Sequence, residues 1–190
     1  MAVTSAPAPV APASTTETVE LPVAPTEVRA LAAVQRAIAR PPVVATARGM
    51  SFFGEHAAGW LAVGLLAALV DRRRRRDWFT ATAGVAMAHG ASIAVKRMVR
   101  RPRPTDPRVQ VLVGTPSRLS FPSAHATSTT AAAVLFGGLL GRRLAPVLVP
   151  PMALSRLVLG VHYPSDVAAG ALLGAGVAAA TRRLSGRSSR

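Results

Sequence analysis

Trp78-Phe-Thr-Ala-Thr-Ala-Gly-Val-Ala-Met-Ala-His-Gly-Ala-Ser-Ile-Ala-Val95 contains no acidic or basic residue other than its one histidine, and it stands between the arginines at 72–76 and Lys96. A bilayer core needs ~20 mostly apolar residues from a crossing helix. The stretch nearly meets that, and basic residues at both ends mark where such a helix leaves the bilayer. Four more blocks of the same kind lie around it, at about residues 54–70, 123–140, 144–161 and 165–181. Their apolar content is mostly Ala, Val, Leu and Gly, small residues that let membrane helices approach closely. Pro150 and Pro151 fall inside the fourth block and predict a kink there, which membrane helices tolerate. With no strand alternation and no internal repeat, the expected fold is all-α, a polytopic membrane helix bundle with about five transmembrane helices.

Upstream, Val28, Leu31, Ala32, Val34 and Ile38 recur at helical spacing among Arg29, Arg36 and Arg40. This predicts an N-terminal amphipathic surface helix, ended by Pro41 and Pro42. Residues 1–24 are rich in Ala and Pro with almost no charge, which predicts a disordered tail. The membrane-embedded domain is then 25–184, and 185–190 form a basic C-terminal tail.

The formal charge of +15 comes from 22 arginines and one lysine, in a chain with no asparagine and two isoleucines. That bias matches a high-GC coding sequence, so arginine usage alone does not identify a ligand. The charge is clustered beside the apolar blocks, and the run at 72–76 reads as a topology anchor, with no nucleic acid partner implied. Five crossings put 72–76, 142–143 and 182–190 on one side, which the positive-inside rule makes cytoplasmic. The loop 96–121 and the turn 162–164 then face outward across a plasma (inner) membrane. This loop is itself basic, against the rule, unless its charges bind phosphate. Absence of cysteine excludes disulfides and thiolate metal sites. Asp71, Asp77 and Asp106 form no metal-ligand cluster, so no metal or cofactor is expected.

Three short stretches carry chemistry, all on the outward side. They are Lys96 with Arg103-Pro104 at +7, then Phe121-Pro122-Ser123-Ala124-His125, then Ser155-Arg156 followed by His162 and Asp166. Arg103 and Arg156 offer forked donors to phosphate oxygens, and Lys96 adds a point charge. Ser123, Ala124 and His125 open a helix whose free N–H groups favour an anion. His125 and His162 can divide the work, one imidazole attacking phosphorus and the other donating a proton to the departing oxygen. Asp166, four residues after His162, can hold a ring N–H and fix the tautomer. Pro164 suits the first turn of the helix that carries it.

The pattern Lys-x6-Arg-Pro, Pro-Ser-x-His, Ser-Arg-x5-His-x3-Asp resembles the type 2 phosphatidic acid phosphatase (PAP2) superfamily over residues 50–182. The resemblance implies a metal-independent phosphatase in which His162 is the nucleophile and forms a phosphohistidine. It implies that His125 is the general acid, that Asp166 orients the nucleophile, and that Lys96, Arg103, Ser123 and Arg156 bind phosphate. Ala124 stands where glycine is commoner and contributes a backbone N–H. A narrower similarity lies in Ser51-Phe-Phe-Gly-Glu-His56, the arginine run and Thr115-Pro-Ser-Arg-Leu-Ser-Phe-Pro-Ser-Ala-His125. These resemble actinobacterial members that dephosphorylate decaprenylphosphoryl-5-phosphoribose, a cell-wall arabinan precursor. The implied partners are a lipid-linked phosphate substrate and membrane lipids. Polyprenyl diphosphate and phosphatidylglycerol phosphate remain alternative substrates, and a non-catalytic lipid-binding scaffold is the alternative of another class.

Three histidine and arginine groups receive plainer readings. His89 shares a helix face with Lys96 and is expected to make a structural hydrogen bond. His56 beside Glu55 is expected to be interfacial. Arg97, Arg100 and Arg101 either support the substrate's charged head or sit at the membrane interface.

Overall fold

A computed structural model describes residues 24–188, so the N-terminal tail and the last two residues lie outside the described residues. Seven helices follow in order: α1 Pro25–Ile38, α2 Pro41–Gly54, α3 Ala58–Val70, α4 Arg75–Val99, α5 Ala124–Leu139, α6 Ala145–Val158 and α7 Pro164–Ser188. Among the described residues the only strand-like feature is an isolated bridge between Pro102 and Leu119.

The proline pair at 41–42 has a double role that the sequence reading takes only as a stop. α1 does end before it, yet Pro41 also opens α2, because the first helical N–H needs no intrahelical acceptor and the ring presets φ. No helix is expected over 41–53 from the sequence, and here α2 leads through a tight turn at 55–57 into α3. Together Pro41–Val70 is the one stretch among the described residues long and apolar enough by itself to cross a membrane. α6 runs through Pro150 and Pro151 as a single helical element. α7 continues to Ser188, beyond the expected domain edge at 184.

α5 is the central helix. Thr127, Ser128, Thr129 and Thr130 are buried alongside Ala131, Ala132, Leu135 and Phe136. Three of these hydroxyls are satisfied within the helix or by a neighbour, while Thr130 Oγ1 has no partner among the described residues. Thr127 donates to Ser123 O, Ser128 to Ala124 O, and Trp60 Nε1 donates to Thr129 Oγ1 at 2.9 Å. Leu66, Leu69, Val70, Met87, Leu154 and Leu172 are exposed. Polar groups inside and large apolar groups outside suit a bundle whose solvent is lipid.

α7 can lie against α5 because of two glycines. A Cβ on Gly170 would meet Ser123 O at 2.5 Å, and one on Gly174 would meet Thr127 O at 2.2 Å. Any side chain there would push the helices apart. α1 is amphipathic as expected, and its apolar face packs on protein, with Leu31 fully buried. Gln35 on the same face donates to Gln110 O and Val158 O and accepts from Gln110 N, tying the 100–123 loop to α6.

Candidate active site

Four helix ends meet at one end of the bundle: the C-terminal ends of α4 and α6 and the N-terminal ends of α5 and α7. Between them lies a cavity of about 320 Å³, lined by Lys96, Arg103, Ala124, His125, Arg156 and His162. Six of the eight residues singled out for chemistry therefore share one space. Ser123 and Asp166 are fully buried behind its wall.

Asp166 owes its position to the start of α7. Pro164 is the first helical residue, which makes Asp166 the third, and its Oδ2 reaches back to accept Tyr163 N–H at 2.8 Å. This is the carboxylate half of a capping box, and the helix dipole favours the charge there. The same Oδ2 lies 3.5 Å from His162 Nδ1, long for a hydrogen bond, and that nitrogen has no hydrogen-bond partner among the described residues. At the other ring edge, Arg103 Nη1 is 3.3 Å from His162 Nε2. A guanidinium only donates, so Nε2 presents a lone pair and Nδ1 carries the proton facing Asp166. Burial pushes the His162 imidazole down to about 4, with Asp166 opposing and Arg103 reinforcing the shift, so the ring is neutral at pH 7. Arg103 is lowered by burial to about 10 and stays charged.

Ser123 is the N-cap of α5. Its Oγ accepts from Ala126 N, and its own N–H donates to Asp166 O at 2.9 Å. Expected as a phosphate ligand, Ser123 has its N–H engaged with Asp166 O and does not line the cavity. It joins the two helix starts that carry His125 and His162. The first N–H groups of α5, at Ala124 and His125, have no intrahelical acceptor and remain for an anion. His125 Nε2 is 3.0 Å from Ser51 O. A carbonyl only accepts, so Nε2 bears a proton and Nδ1 is the nitrogen left to exchange one with substrate.

The basic residues are held before any ligand arrives. Lys96 Nζ donates to the carbonyls of Leu119, Ser120 and Pro122 at 3.0–3.1 Å, clamping the segment that leads into α5. Its charge faces the cavity while all three protons are committed to backbone. Arg156 donates to Ser155 Oγ, Ser51 Oγ and Ala47 O, so α2 fixes its fork. Arg103 donates to Ser117 O and Val161 O, both at 2.7 Å, and its Nη2 makes neither bond.

Two supports escape the sequence reading. α4 ends with Arg100 in the left-handed region (φ 53°), a reversal usually made by glycine. Arg100 is thereby left exposed while Arg101 is buried, 2% exposed. Arg101 Nη1 bonds Asp166 Oδ1 at 2.8 Å, its Nη2 bonds Glu27, and its guanidinium lies over the Tyr163 ring. Glu27 on α1 also accepts Ser165 N–H at 3.0 Å. A line of groups thus runs from α1 through Glu27, Arg101 and Asp166 to His162. The second support is Ser51, which touches His125 and Arg156 at once. For His89 the expected structural hydrogen bond is not made among the described residues: its Nδ1 is buried without a partner there, and the residue lines the cavity with His56, Glu55 and Arg97.

Residues 77–190 match the PAP2 superfamily. Over 154 residues the chain is 60% identical to a Mycobacterium tuberculosis protein named decaprenylphosphoryl-5-phosphoribose phosphatase, covering 80% of this chain and 87% of that one. A Mycolicibacterium smegmatis protein of the same name is 59% identical over 141 residues, 74% of this chain and 78% of the relative. In fold, the chain resembles the crystal structure of a transmembrane PAP2-type phosphatidylglycerolphosphate phosphatase from Bacillus subtilis, with a TM-score of 0.69 at 20% identity over 86% and 88% of the two chains. It also resembles LpxE of Aquifex aeolicus, with a TM-score of 0.67 at 18% identity over 82% and 94%. The cavity with its two histidines and convergent basic groups therefore sits in a membrane protein that belongs to the PAP2 superfamily.

Proposed function

We propose that this protein is a metal-independent phosphatase that removes the 5-phosphate from decaprenylphosphoryl-5-phosphoribose through a phosphohistidine at His162. The carrying observation is the convergence of Lys96, Arg103, Arg156 and the α5 N-terminus on a cavity where His162 Nε2 offers a lone pair. Phosphoryl transfer asks mainly for positioning and charge stabilisation, which this arrangement supplies. The names of the mycobacterial relatives support the substrate.

In the first step Arg103 moves from Nε2 to a phosphoryl oxygen, and the Nε2 lone pair attacks phosphorus. The bond from phosphorus to the sugar oxygen breaks, and that oxygen takes the Nδ1 proton of His125, which enters the step as an imidazolium and keeps its Nε2 proton on Ser51 O. Asp166 holds the Nδ1 proton of His162 as positive charge develops on the ring. A water then gives its proton to His125 and attacks the phosphohistidine, releasing inorganic phosphate and restoring His162. Ser123 acts in this scheme by holding the two helix starts together.

The reading places five crossings in a plasma membrane with the cavity on the extracytoplasmic face. Gly141, Arg142, Arg143 and Arg182 border one hollow at the far end of the bundle, which supports a shared cytoplasmic side. With no native cysteine, Thr105→Cys and Gly141→Cys give unambiguous labels. An impermeant reagent should reach Thr105→Cys in intact cells and Gly141→Cys only after lysis; the reverse order overturns the orientation.

The deciding experiment measures phosphate release by the detergent-solubilised protein, chelator present, on four lipids: decaprenylphosphoryl phosphoribose, polyprenyl diphosphate, phosphatidylglycerol phosphate and phosphatidic acid. The phosphoribose lipid should be preferred, with turnover lost in His162→Ala. Faster turnover of another lipid would replace the substrate, and no turnover of any would favour a scaffold.

A further inference from the structure

Beside the phosphate-binding groups, the cavity has a second polar wall that the chemistry above does not use. It is formed by Glu55 and His56 at the turn between α2 and α3, and by His89 across from them on α4. The His56 and His89 rings are 6.3 Å apart between centroids. On α4, residues 89, 93, 96 and 97 line the cavity at helical spacing, so His89 lies two turns from Lys96 on the same face.

The turn itself is costly to make. His56 and Ala57 both take the left-handed conformation, at φ 51° and 59°, with no glycine to relieve it. Non-glycine residues held there persist where the surroundings enforce them, and such strain gathers at binding sites. The preceding Gly54 is enforced by contact: a Cβ there would stand 2.6 Å from His125 Cδ2. The wall at 54–56 is thus pressed directly against the proposed general acid.

That neighbourhood has a chemical consequence. A general acid must touch the leaving oxygen, so the group bearing that oxygen lies on the acid's side of the phosphate. Here that side is the turn at 54–56, with His89 opposite. The leaving group in the proposed reaction is the 5-oxygen of a ribose whose C2 and C3 hydroxyls form a vicinal diol. A carboxylate with two acceptor oxygens suits two adjacent hydroxyls, and an imidazole nitrogen can accept or donate a third bond. Nδ1 of His89 is buried and has no partner among the described residues, so no structural hydrogen bond through that nitrogen commits the ring elsewhere.

We infer that Glu55, His56 and His89 form a sugar subsite that binds the vicinal diol of the pentose and gives the enzyme its preference for a glycosyl phosphate over other lipid phosphomonoesters. The inference rests on the phosphoribose substrate proposed above. It makes Glu55 and His89 specificity residues, reading the part of the substrate that the basic residues cannot distinguish.

The test compares kcat/KM for decaprenylphosphoryl phosphoribose and for its 2,3-dideoxy analogue, in the wild type, Glu55→Gln and His89→Leu. Each enzyme serves as its own reference, so a fraction of misfolded protein cancels from the ratio. The wild type should favour the diol substrate at least tenfold, and each substitution should cut that ratio by about tenfold, the loss expected for a hydrogen bond to a charged or buried polar group. Variants that keep the full wild-type ratio, while the wild type still prefers the phosphoribose lipid to phosphatidic acid, would overturn the sugar subsite alone. A wild type without preference for the phosphoribose lipid would remove the substrate assignment and this inference together.

Discussion

At one end of the bundle, Arg72, Arg73, Arg74, Arg75 and Arg76 are exposed; Arg74 binds Asp71 three residues away and reaches Leu139 O at the end of α5, and Arg75 donates to Ala68 O. At the other end, Arg101 and Arg156 are each 2% exposed and bond residues between 64 and 109 positions away, apart from Ser155 beside Arg156. In sequence both regions are short basic runs beside an apolar block. What separates them is whether other helices close over the guanidinium as well as bringing it acceptors. The exposed run caps helix C-termini and meets water, where charge costs little. The buried arginines need fixed partners, and those partners make them rigid enough to serve a site.

Substitutions at the two ends should therefore diverge. Arg156→Ala should lower kcat/KM by about 10²–10³, the range for removing a donor that stabilises transition-state charge. Arg75→Ala in the same phosphate-release assay should stay within about twofold of wild type. A comparable loss from both would mean that the arginine run reaches the site. Arg101→Ala leaves Asp166 without its cation and should destabilise the fold by about 3 kcal/mol. Thermal unfolding in detergent measures this, with Arg74→Ala as the companion expected to leave Tm unchanged. Gly54→Ala should displace His125 and lower kcat by about tenfold. Glu27→Gln keeps an acceptor for Ser165 N–H and removes a charge from Arg101. A fall of a few-fold in kcat with KM unchanged would mark Glu27 as acting through Asp166, whereas a change in KM alone would not. The mildest test leaves the sequence untouched. Protonation removes the Nε2 lone pair, and burial lowers the His162 value, so its ring signal in an NMR titration should show a midpoint near 4. A midpoint near the ordinary 6.5 would show that water reaches the ring.

The motif residues were legible because catalysis restricts both residue type and spacing. Lys96, Arg103, His125, Arg156 and His162 are found on one cavity without any knowledge of helix packing. The supports were hidden for a physical reason. Arg101 is one of four arginines between residues 97 and 103, and only the left-handed turn at Arg100 selects which neighbour points inward. Glu27 and Ser51 act across 74 or more residues, through contacts that no local periodicity encodes. α2 is not legible in the sequence because a proline pair looks the same whether it ends one helix or starts the next. His89 was placed on the correct face by its seven-residue spacing from Lys96. Its bonding is not legible there, since nothing local shows that a buried ring nitrogen lacks a partner.

Ser51 also bears on how portable this chemistry is. The matched family pattern begins at residue 77, so a graft of residues 77–182 onto a foreign N-terminal half would transfer every motif residue. It would leave behind the carbonyl that holds a proton on His125, the hydroxyl that steadies Arg156, and the carboxylate that anchors Arg101. Such a chimaera would inherit the reagents and lose the fixtures. In this molecule the segment before residue 77 and the family-matched segment after it have to be inherited as a matched pair.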